Sequence, residues 1–189
     1  MNTNIVSTDN INWSKKPVGG QIAKINNVLM EDTNQIEVTL DELFERSIAG
    51  QTILPSRLCG DKRVQDNWKS QGIFCLDFDD GYSIEQVLQY ASDNGISPNF
   101  YYHTFSSTTD KPKYRFVYFL SDTVDDGELA LSIKKSLWRV FKDFNPDKSP
   151  SKDLARFFFG GTSGELIHSH LETSYQLIDR LNPILMNQD

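Results

Sequence analysis

The spacing of apolar residues changes from segment to segment along this chain, and the changes predict a mixed α+β fold. A short apolar run within residues 72–81 is followed by acidic residues and Gly81, which favours a buried strand that ends in a turn. Residues 113–120 show the two-residue alternation of a second strand. Apolar residues recur at helical spacing in 84–91 and 128–144, and each run follows residues typical of a helix cap.

With further strands predicted at 99–106 and 155–159, residues 72–160 are predicted to form strand, helix, strand, strand, helix and strand in that order. This order is typical of a ferredoxin-like or RRM-like βαββαβ sheet, which is antiparallel and carries both helices on one face. The other face is then open for ligands. The first and last strands can also be neighbours in space although they are distant in sequence.

Segments outside this core complete the predicted architecture. A helix that begins after Thr39 and a strand-like piece at 52–54 form an additional N-terminal αβ unit. Residues 1–20 are rich in Asn, Thr and Ser and are expected to form a loose arm or an edge segment. Residues 21–189 are expected to form a single domain with a core at 50–165, followed by a short strand and a helix.

The acidic pair Asp77 and Asp79 is the first candidate for chemistry. Side chains two residues apart in a strand share a face, so the two carboxylates are expected side by side. Because adjacent carboxylates repel each other and are costly to bury unpaired, a cation is expected between them. Mg²⁺ or Mn²⁺ suits carboxylate oxygens and leaves positions open for water and phosphates. In the alternative interpretation, Asp79, Asp80 and Gly81 simply form the turn that ends the strand.

Composition limits the class of protein. The chain has 189 residues, 38% of them hydrophobic, which is enough to bury a core. Its formal charge of -7 argues against binding nucleic acid over the whole surface and leaves room for local basic sites. The two cysteines and three histidines do not form a zinc-binding pattern. No apolar run reaches the ~20 residues of a membrane span, and the first residues do not resemble a secretory signal, so a cytoplasmic protein without a membrane partner is expected.

A basic loop within residues 55–69 is the candidate DNA contact. It carries three cations and one large aromatic side chain, namely Arg57, Lys62, Arg63 and Trp68. Cations combined with an aromatic ring suit single-stranded nucleic acid, because phosphates pair with the cations and bases stack on the ring. The alternative is that Trp68 packs over the edge of the sheet.

Three sequence blocks together resemble the catalytic domain of the archaeo-eukaryotic primase (AEP) superfamily, the primase-polymerases common in plasmids, phages and archaea. The first block is the strand that ends in Asp77 and Asp79, which is similar to the paired-acid metal motif of that family. The last block is Asp147, with Asp153 as its rival, ahead of residues 156–161. It is similar to the late metal-binding Asp that precedes an Arg-bearing strand. The resemblance extends over roughly the predicted core.

The middle block departs from the pattern of the superfamily. In that family, a strand facing the acids usually carries a small residue, then any residue, then His. In this chain, no His follows two positions after Ser106 or Ser107. A basic strand with Lys113 and Arg115 follows instead, similar to phage and plasmid members in which a Pro and a basic strand come after a Ser-rich turn. We interpret His103 as a core or edge histidine.

The resemblance implies a DNA primase or primase-polymerase, a template-directed and metal-dependent nucleotidyltransferase that acts in the replication of a phage or mobile element. The implied ligands for two divalent ions, Mg²⁺ or Mn²⁺, are Asp77, Asp79 and Asp147. The implied nucleotide contacts are Ser106, Ser107, Lys113, Arg115 and Arg156. The implied partners are a nucleoside or deoxynucleoside triphosphate and a single-stranded DNA template, with a helicase or a helical priming domain as further candidates.

Two other functions compete with this interpretation. His168, Ser169 and His170, with Tyr175 nearby, are similar to the paired-histidine metal motif and tyrosine nucleophile of HUH-type replication initiators, which nick DNA. A non-catalytic RRM-like module would instead use aromatic side chains of the sheet to stack on bases. Its candidate stacking residues are Tyr101, Tyr114 and Tyr118.

Overall fold

The computed structural model describes residues 2–187. Its N-terminal unit is an antiparallel sheet with strand order β2-β1-β3. The strands are β1 (Asn4–Thr8), β2 (Gln35–Val38) and β3 (Ile53–Leu54). The helices of this unit are α1 (Gly20–Leu29) and α2 (Leu40–Ile48). The additional N-terminal αβ unit predicted from the sequence is therefore present.

The N-terminal residues are not the loose arm or edge segment that we predicted for residues 1–20. Strand β1 is the middle strand of its sheet, and Val6 within it is fully buried. Asn4 also donates a hydrogen bond of 2.9 Å to the carbonyl oxygen of Leu120 in the neighbouring sheet. The polar composition of this segment did not predict its burial, because its buried polar side chains form hydrogen bonds with partners that are distant in sequence. Met1 and residues 188–189, at the ends of the predicted ranges, lie outside the described part.

The second sheet is antiparallel throughout and has strand order β4-β5-β7-β6-β8. Its strands are β4 (Ser56–Leu58), β5 (Trp68–Phe78), β6 (Phe100–Thr104), β7 (Tyr114–Val124) and β8 (Gly161–Leu166). Three helices accompany it, namely α3 (Ile84–Asp93), α4 (Gly127–Val140) and α5 (Ser174–Met186). The α+β class with antiparallel sheets is confirmed. Among residues 2–187, no helix is long and apolar enough to cross a membrane.

The two faces of the five-stranded sheet are buried in different ways. Phe74, Leu76 and Phe78 of β5 point into a core shared with α3, α4 and α5. The alternate residue Ile73 belongs to a second core, which includes β1, β2 and α2. Because side chains alternate along a strand, Asp77 lies on this second face. Asp77 therefore lies on the face that meets the N-terminal unit rather than on the face covered by α3, α4 and α5.

The strand predicted at 155–159 does not join the five-stranded sheet. Its one pairing is an isolated bridge in which Phe158 and Ile53 exchange two main-chain hydrogen bonds of 2.8 Å. The sheet position beside β5 belongs to β4, and β8 pairs with β6 at the opposite edge. We refer to residues 155–159 together with the two residues before them as the 153–159 segment. Elsewhere in this segment, carbonyl groups accept hydrogen bonds from cationic side chains instead of from a neighbouring strand.

Gly160 fixes where this segment meets the N-terminal unit. A Cβ atom at this position would overlap the main chain of Gly50 and lie 2.7 Å from the carbonyl oxygen of Gln51. We expect Gly160→Ala to lower the free energy of unfolding by about 1–3 kcal/mol, because backbone must move to admit the methyl group. Urea unfolding measures this change. Gly20→Ala, where no atom lies within 4 Å of the added carbon, is the matched control and should stay within about 1 kcal/mol of the parent chain. Equal stabilities of the two variants would contradict the close approach.

Candidate functional site

A cavity of about 420 Å³ lies between the ends of β5 and β7 and the 153–159 segment. Most of the acids and nucleotide contacts predicted from the sequence border it. Those predicted residues are Asp77, Asp79, Ser106, Lys113, Arg115, Asp147 and Arg156, together with Asp153. Side chains separated by up to 79 positions in the chain therefore converge. Among them, Asp77 and Arg115 meet because antiparallel pairing brings the end of β5 beside the start of β7.

Asp77 and Arg115 form a buried ion pair at the floor of this cavity. They are direct cross-strand partners, and the guanidinium donates to both carboxylate oxygens. Nε donates to Oδ1, and Nη2 donates to Oδ2 at 3.0 Å. Their side chains are only 11% and 8% exposed. Burial alone lowers the pKa of Arg115, but the charge and hydrogen bonds of Asp77 outweigh it and the pKa rises above its usual value. Each charge therefore neutralises the other.

Arg115 also joins β6 and the 153–159 segment. Its terminal nitrogen donates to the hydroxyl of Tyr102 at 2.5 Å and to the carbonyl oxygen of Phe159 at 2.8 Å. The guanidinium lies 4.4 Å from the ring centre of Phe158. An arginine with its donors used in this way is a structural clamp. Arg115 also borders the cavity, and the prediction that it contacts a triphosphate stays a prediction.

Asp79 is the exposed acid of the cavity, and Asp147, like Asp153, is half-buried. The Asp79 side chain is 52% exposed and lies 3.6 Å from the ammonium group of Lys113. Asp147 is joined to β5 by a 2.9 Å hydrogen bond from its main-chain nitrogen to the carbonyl oxygen of Asp77. Its carboxylate accepts hydrogen bonds from the main chain and hydroxyl of Ser149 at 2.9 and 2.8 Å. Both acids keep oxygen lone pairs available to a ligand.

The carboxylates do not form a preassembled three-acid metal site. Among residues 2–187, no group of three or more acidic, His or Cys side chains is arranged to hold a metal ion. Asp77 is occupied by Arg115, and Asp153 uses one oxygen to accept the main-chain N–H of Ala155 at 2.8 Å. The oxygens of Asp79 and Asp147 nevertheless suit Mg²⁺, which proteins commonly bind through one or two carboxylates completed by water and substrate phosphates. The donor set fits a metal held jointly with a phosphorylated substrate.

Arg156, like the exposed Lys16 at the same cavity, is a cation available to an anion. It borders the cavity, is half-buried, and makes no hydrogen bond or ion pair with any residue from 2 to 187. Arg63, by contrast, donates to Asn26 at 2.6 Å and to the carbonyl oxygen of Ala155 at 2.7 Å. It also lies 4.8 Å from the ring centre of Phe157. Burial lowers the pKa of Arg63, and the nearby charge of Arg156 acts in the same direction, against the opposing effect of Asp153.

Several predicted contacts lie outside the cavity. The Ser107 hydroxyl accepts the main-chain N–H of Lys113 at 3.0 Å and lies 3.2 Å from Nδ1 of His103, so it shapes the turn before β7. Trp68 packs between two apolar clusters and donates to Gln71 at 3.1 Å, which agrees with the alternative interpretation of this residue. Arg57 and Lys62 are exposed but do not border the cavity.

Lys134 is a buried cation that sequence reasoning missed. It lies on α4 with only 5% of its surface exposed, and its ammonium group donates to the carbonyl oxygen of Asp153 at 2.6 Å. Burial lowers its pKa to about 8. The sequence signal was a lysine within the apolar stripe of a helix, one turn after Ala130 and next to Ile133.

Some residues of the competing functions are engaged in other contacts. The ring nitrogens of His168 lie 3.2 Å and 3.1 Å from the carbonyl oxygens of His170 and Ser97, so main-chain groups occupy both potential metal-binding positions. Tyr175 is 69% exposed at the start of α5. Tyr114 and Tyr118 are buried beneath the helices, which removes them as stacking platforms.

Comparison with known proteins gives one structural match. No protein-family model and no curated protein sequence matches this chain. A solved structure, the AEP domain of the cyanophage S-2L primase-polymerase (PrimPol), aligns with a TM-score of 0.50 and 12% sequence identity, over 95% of this chain and 89% of that domain. The fold of this chain is AEP-like. The superposition supports a shared fold, and 12% identity leaves the activity to be argued from the site.

Proposed function

We propose that this chain is a DNA primase or primase-polymerase, which binds a nucleoside or deoxynucleoside triphosphate in the cavity and transfers its nucleotidyl group to a 3′-hydroxyl on a DNA template. The observation that carries the proposal is the convergence of Asp79, Asp147, Lys113 and Arg156 on one cavity in an AEP-like fold. Acids and cations that border the same cavity suit a substrate that carries both phosphates and metal ions.

The cations divide into two groups by their availability. Arg156 makes no competing contact, and Lys113 makes only a loose pair with Asp79, so both can bind the triphosphate. The Ser106 hydroxyl offers a neutral donor at the same cavity. Arg115 acts indirectly, since it holds the floor of the cavity together. This division replaces the equal roles that the sequence suggested for Lys113 and Arg115.

Asp79 and Asp147 would hold Mg²⁺ or Mn²⁺ together with the substrate phosphates. When bound, such an ion polarises the α-phosphate and lowers the pKa of the attacking hydroxyl. Asp77 could join them as the third ligand of a two-ion site through the lone pairs that its two oxygens keep beside the bonds from Arg115. The protein itself positions the acids and the substrate phosphates, through side chains at the end of β5, at the start of β7 and in the 153–159 segment.

The partners follow from the same chemistry. A single-stranded template carries phosphates that the exposed Arg57 and Lys62 can contact, while Trp68 is half-buried against two apolar clusters. The proposed role in replication of a phage or mobile element, together with a helicase or helical priming domain as partner, comes from the family resemblance. No contact among the described residues bears on that partner.

Extension of a labelled primer on a single-stranded template tests the proposal. We expect incorporation with Mn²⁺ or Mg²⁺ and none after chelation with EDTA. Calorimetry with Mn²⁺ and a deoxynucleoside triphosphate supplies a second measurement, because binding should require both components. Absence of binding and of extension would overturn the proposal. Covalent attachment of a nicked oligonucleotide to Tyr175 would identify an initiator nuclease instead.

A further inference from the structure

Three cationic side chains hold the 153–159 segment through its main-chain carbonyl groups. The pairs are Lys134 with Asp153 at 2.6 Å, Arg63 with Ala155 at 2.7 Å, and Arg115 with Phe159 at 2.8 Å. These bonds replace most of the ladder that a sheet neighbour would provide, since only Phe158 pairs with another strand-like residue. Along its main chain, the segment that carries Arg156 is thus held by charge-assisted hydrogen bonds at three carbonyl groups, beside the packing of its apolar side chains.

Lys134 is the member of this set whose burial most needs an explanation. It projects from the apolar stripe of α4, and the charged groups that influence its pKa are Asp153 and Arg156. Neither of them forms an ion pair with it among the described residues. Burying an ammonium group without a carboxylate partner is costly, and an apolar side chain of similar length would fill the same space. Lys134 therefore has little value as a stabilising core residue.

We infer that Lys134 is a positioning residue for the candidate site, which holds the Asp153 end of the 153–159 segment so that Arg156 faces the cavity. The geometry that supports this is the hydrogen bond from a helix side chain to the segment two residues before Ala155 and three before Arg156. The effect on Arg156 rests on the proposed nucleotide-binding function. The effect on the segment itself does not.

Two substitutions at Lys134, each with a side chain of similar length, distinguish the effect of the hydrogen-bond donor from the effect of side-chain volume. Lys134→Met removes the hydrogen-bond donor, whereas Lys134→Gln keeps an N–H donor without the charge. Lys135→Met, on an exposed neighbouring position of the same helix, is the matched control. Hydrogen–deuterium exchange of the peptide that covers residues 153–160 reports on the segment without reference to activity. Primer extension reports kcat and KM for the nucleotide.

With Lys134→Met we expect faster exchange in this peptide, by about tenfold, since a lost charge-assisted hydrogen bond corresponds to roughly that factor in a local opening equilibrium. KM for the nucleotide should rise by a similar factor with a smaller change in kcat, and Lys134→Gln should fall between Met and the parent chain. Tm should stay within about 4 °C of the parent value.

The outcomes separate the inference from the proposed function. Unchanged exchange in residues 153–160 would overturn the positioning role, whatever the activity. Faster exchange together with a KM equal to that of Lys135→Met would overturn the link to Arg156. Faster exchange in a chain that binds no nucleotide would leave Lys134 as a positioning residue of the segment and overturn the proposed function.

Discussion

The Asp79→Asn variant is expected to lose nucleotide incorporation by at least about 10²-fold, since loss of groups that merely orient metal ligands costs about 10–100-fold and Asp79 is a proposed ligand itself. Asparagine has nearly the same shape but lacks the charge that a divalent cation requires. Asp147→Asn should have a comparable effect, and the double variant should fall below detection. Primer extension with Mn²⁺ measures the loss, and calorimetry should show weaker joint binding of Mn²⁺ and nucleotide.

Folding should survive these substitutions, so the loss can be assigned to the site. The Asp79 side chain is half-exposed and its pair with Lys113 is loose, so unfolding free energies should change by less than about 1 kcal/mol. Asp80→Asn is the matched control, because this neighbouring acid is exposed and lies outside the cavity. Wild-type incorporation by Asp79→Asn would exclude this acid from the metal-dependent step.

The local parts of this architecture were predictable from the sequence. The apolar run before Asp77 and the alternation after Lys113 marked β5 and β7, since burial on both faces and a two-residue period leave clear patterns. The capping pattern of Thr39 with Glu42 is present as a reciprocal cap at the start of α2. These signals lie within a few residues of each other, and no distant contact is needed to interpret them.

The partner of each charged group was not predictable. Arg115 follows Lys113 by two positions, and nothing local distinguishes an arginine that binds Asp77 from one that binds a phosphate. The pairing depends on the register of β5 against β7, which sequence periodicity does not fix. The same limit applies to the 153–159 segment, whose aromatic run suits a strand but three of whose carbonyl groups bind cations from other parts of the chain.

Removal of Asp77 is expected to damage the fold as well as the site. Asp77→Ala leaves the guanidinium of Arg115 buried without its counter-ion, and breaking a buried pair from one side typically costs about 3–5 kcal/mol. We expect a loss of that size in urea unfolding. Arg115→Met in the Asp77→Ala background should recover part of the loss, because apolar groups of similar size often replace a buried pair at little cost.

This pair of variants also decides how an inactive Asp77 mutant should be interpreted. If Asp77→Ala lost activity while keeping wild-type stability, Asp77 would act mainly as a metal ligand and the Arg115 clamp would have little structural weight. If it lost both, and the double variant regained stability without activity, the acid would have two separable roles, in the clamp and in catalysis. Recovery of both stability and incorporation in the double variant would show that Asp79 and Asp147 suffice as ligands, that Asp77 serves mainly to neutralise the buried charge of Arg115, and that the hydrogen bond from Arg115 to the carbonyl oxygen of Phe159 is dispensable.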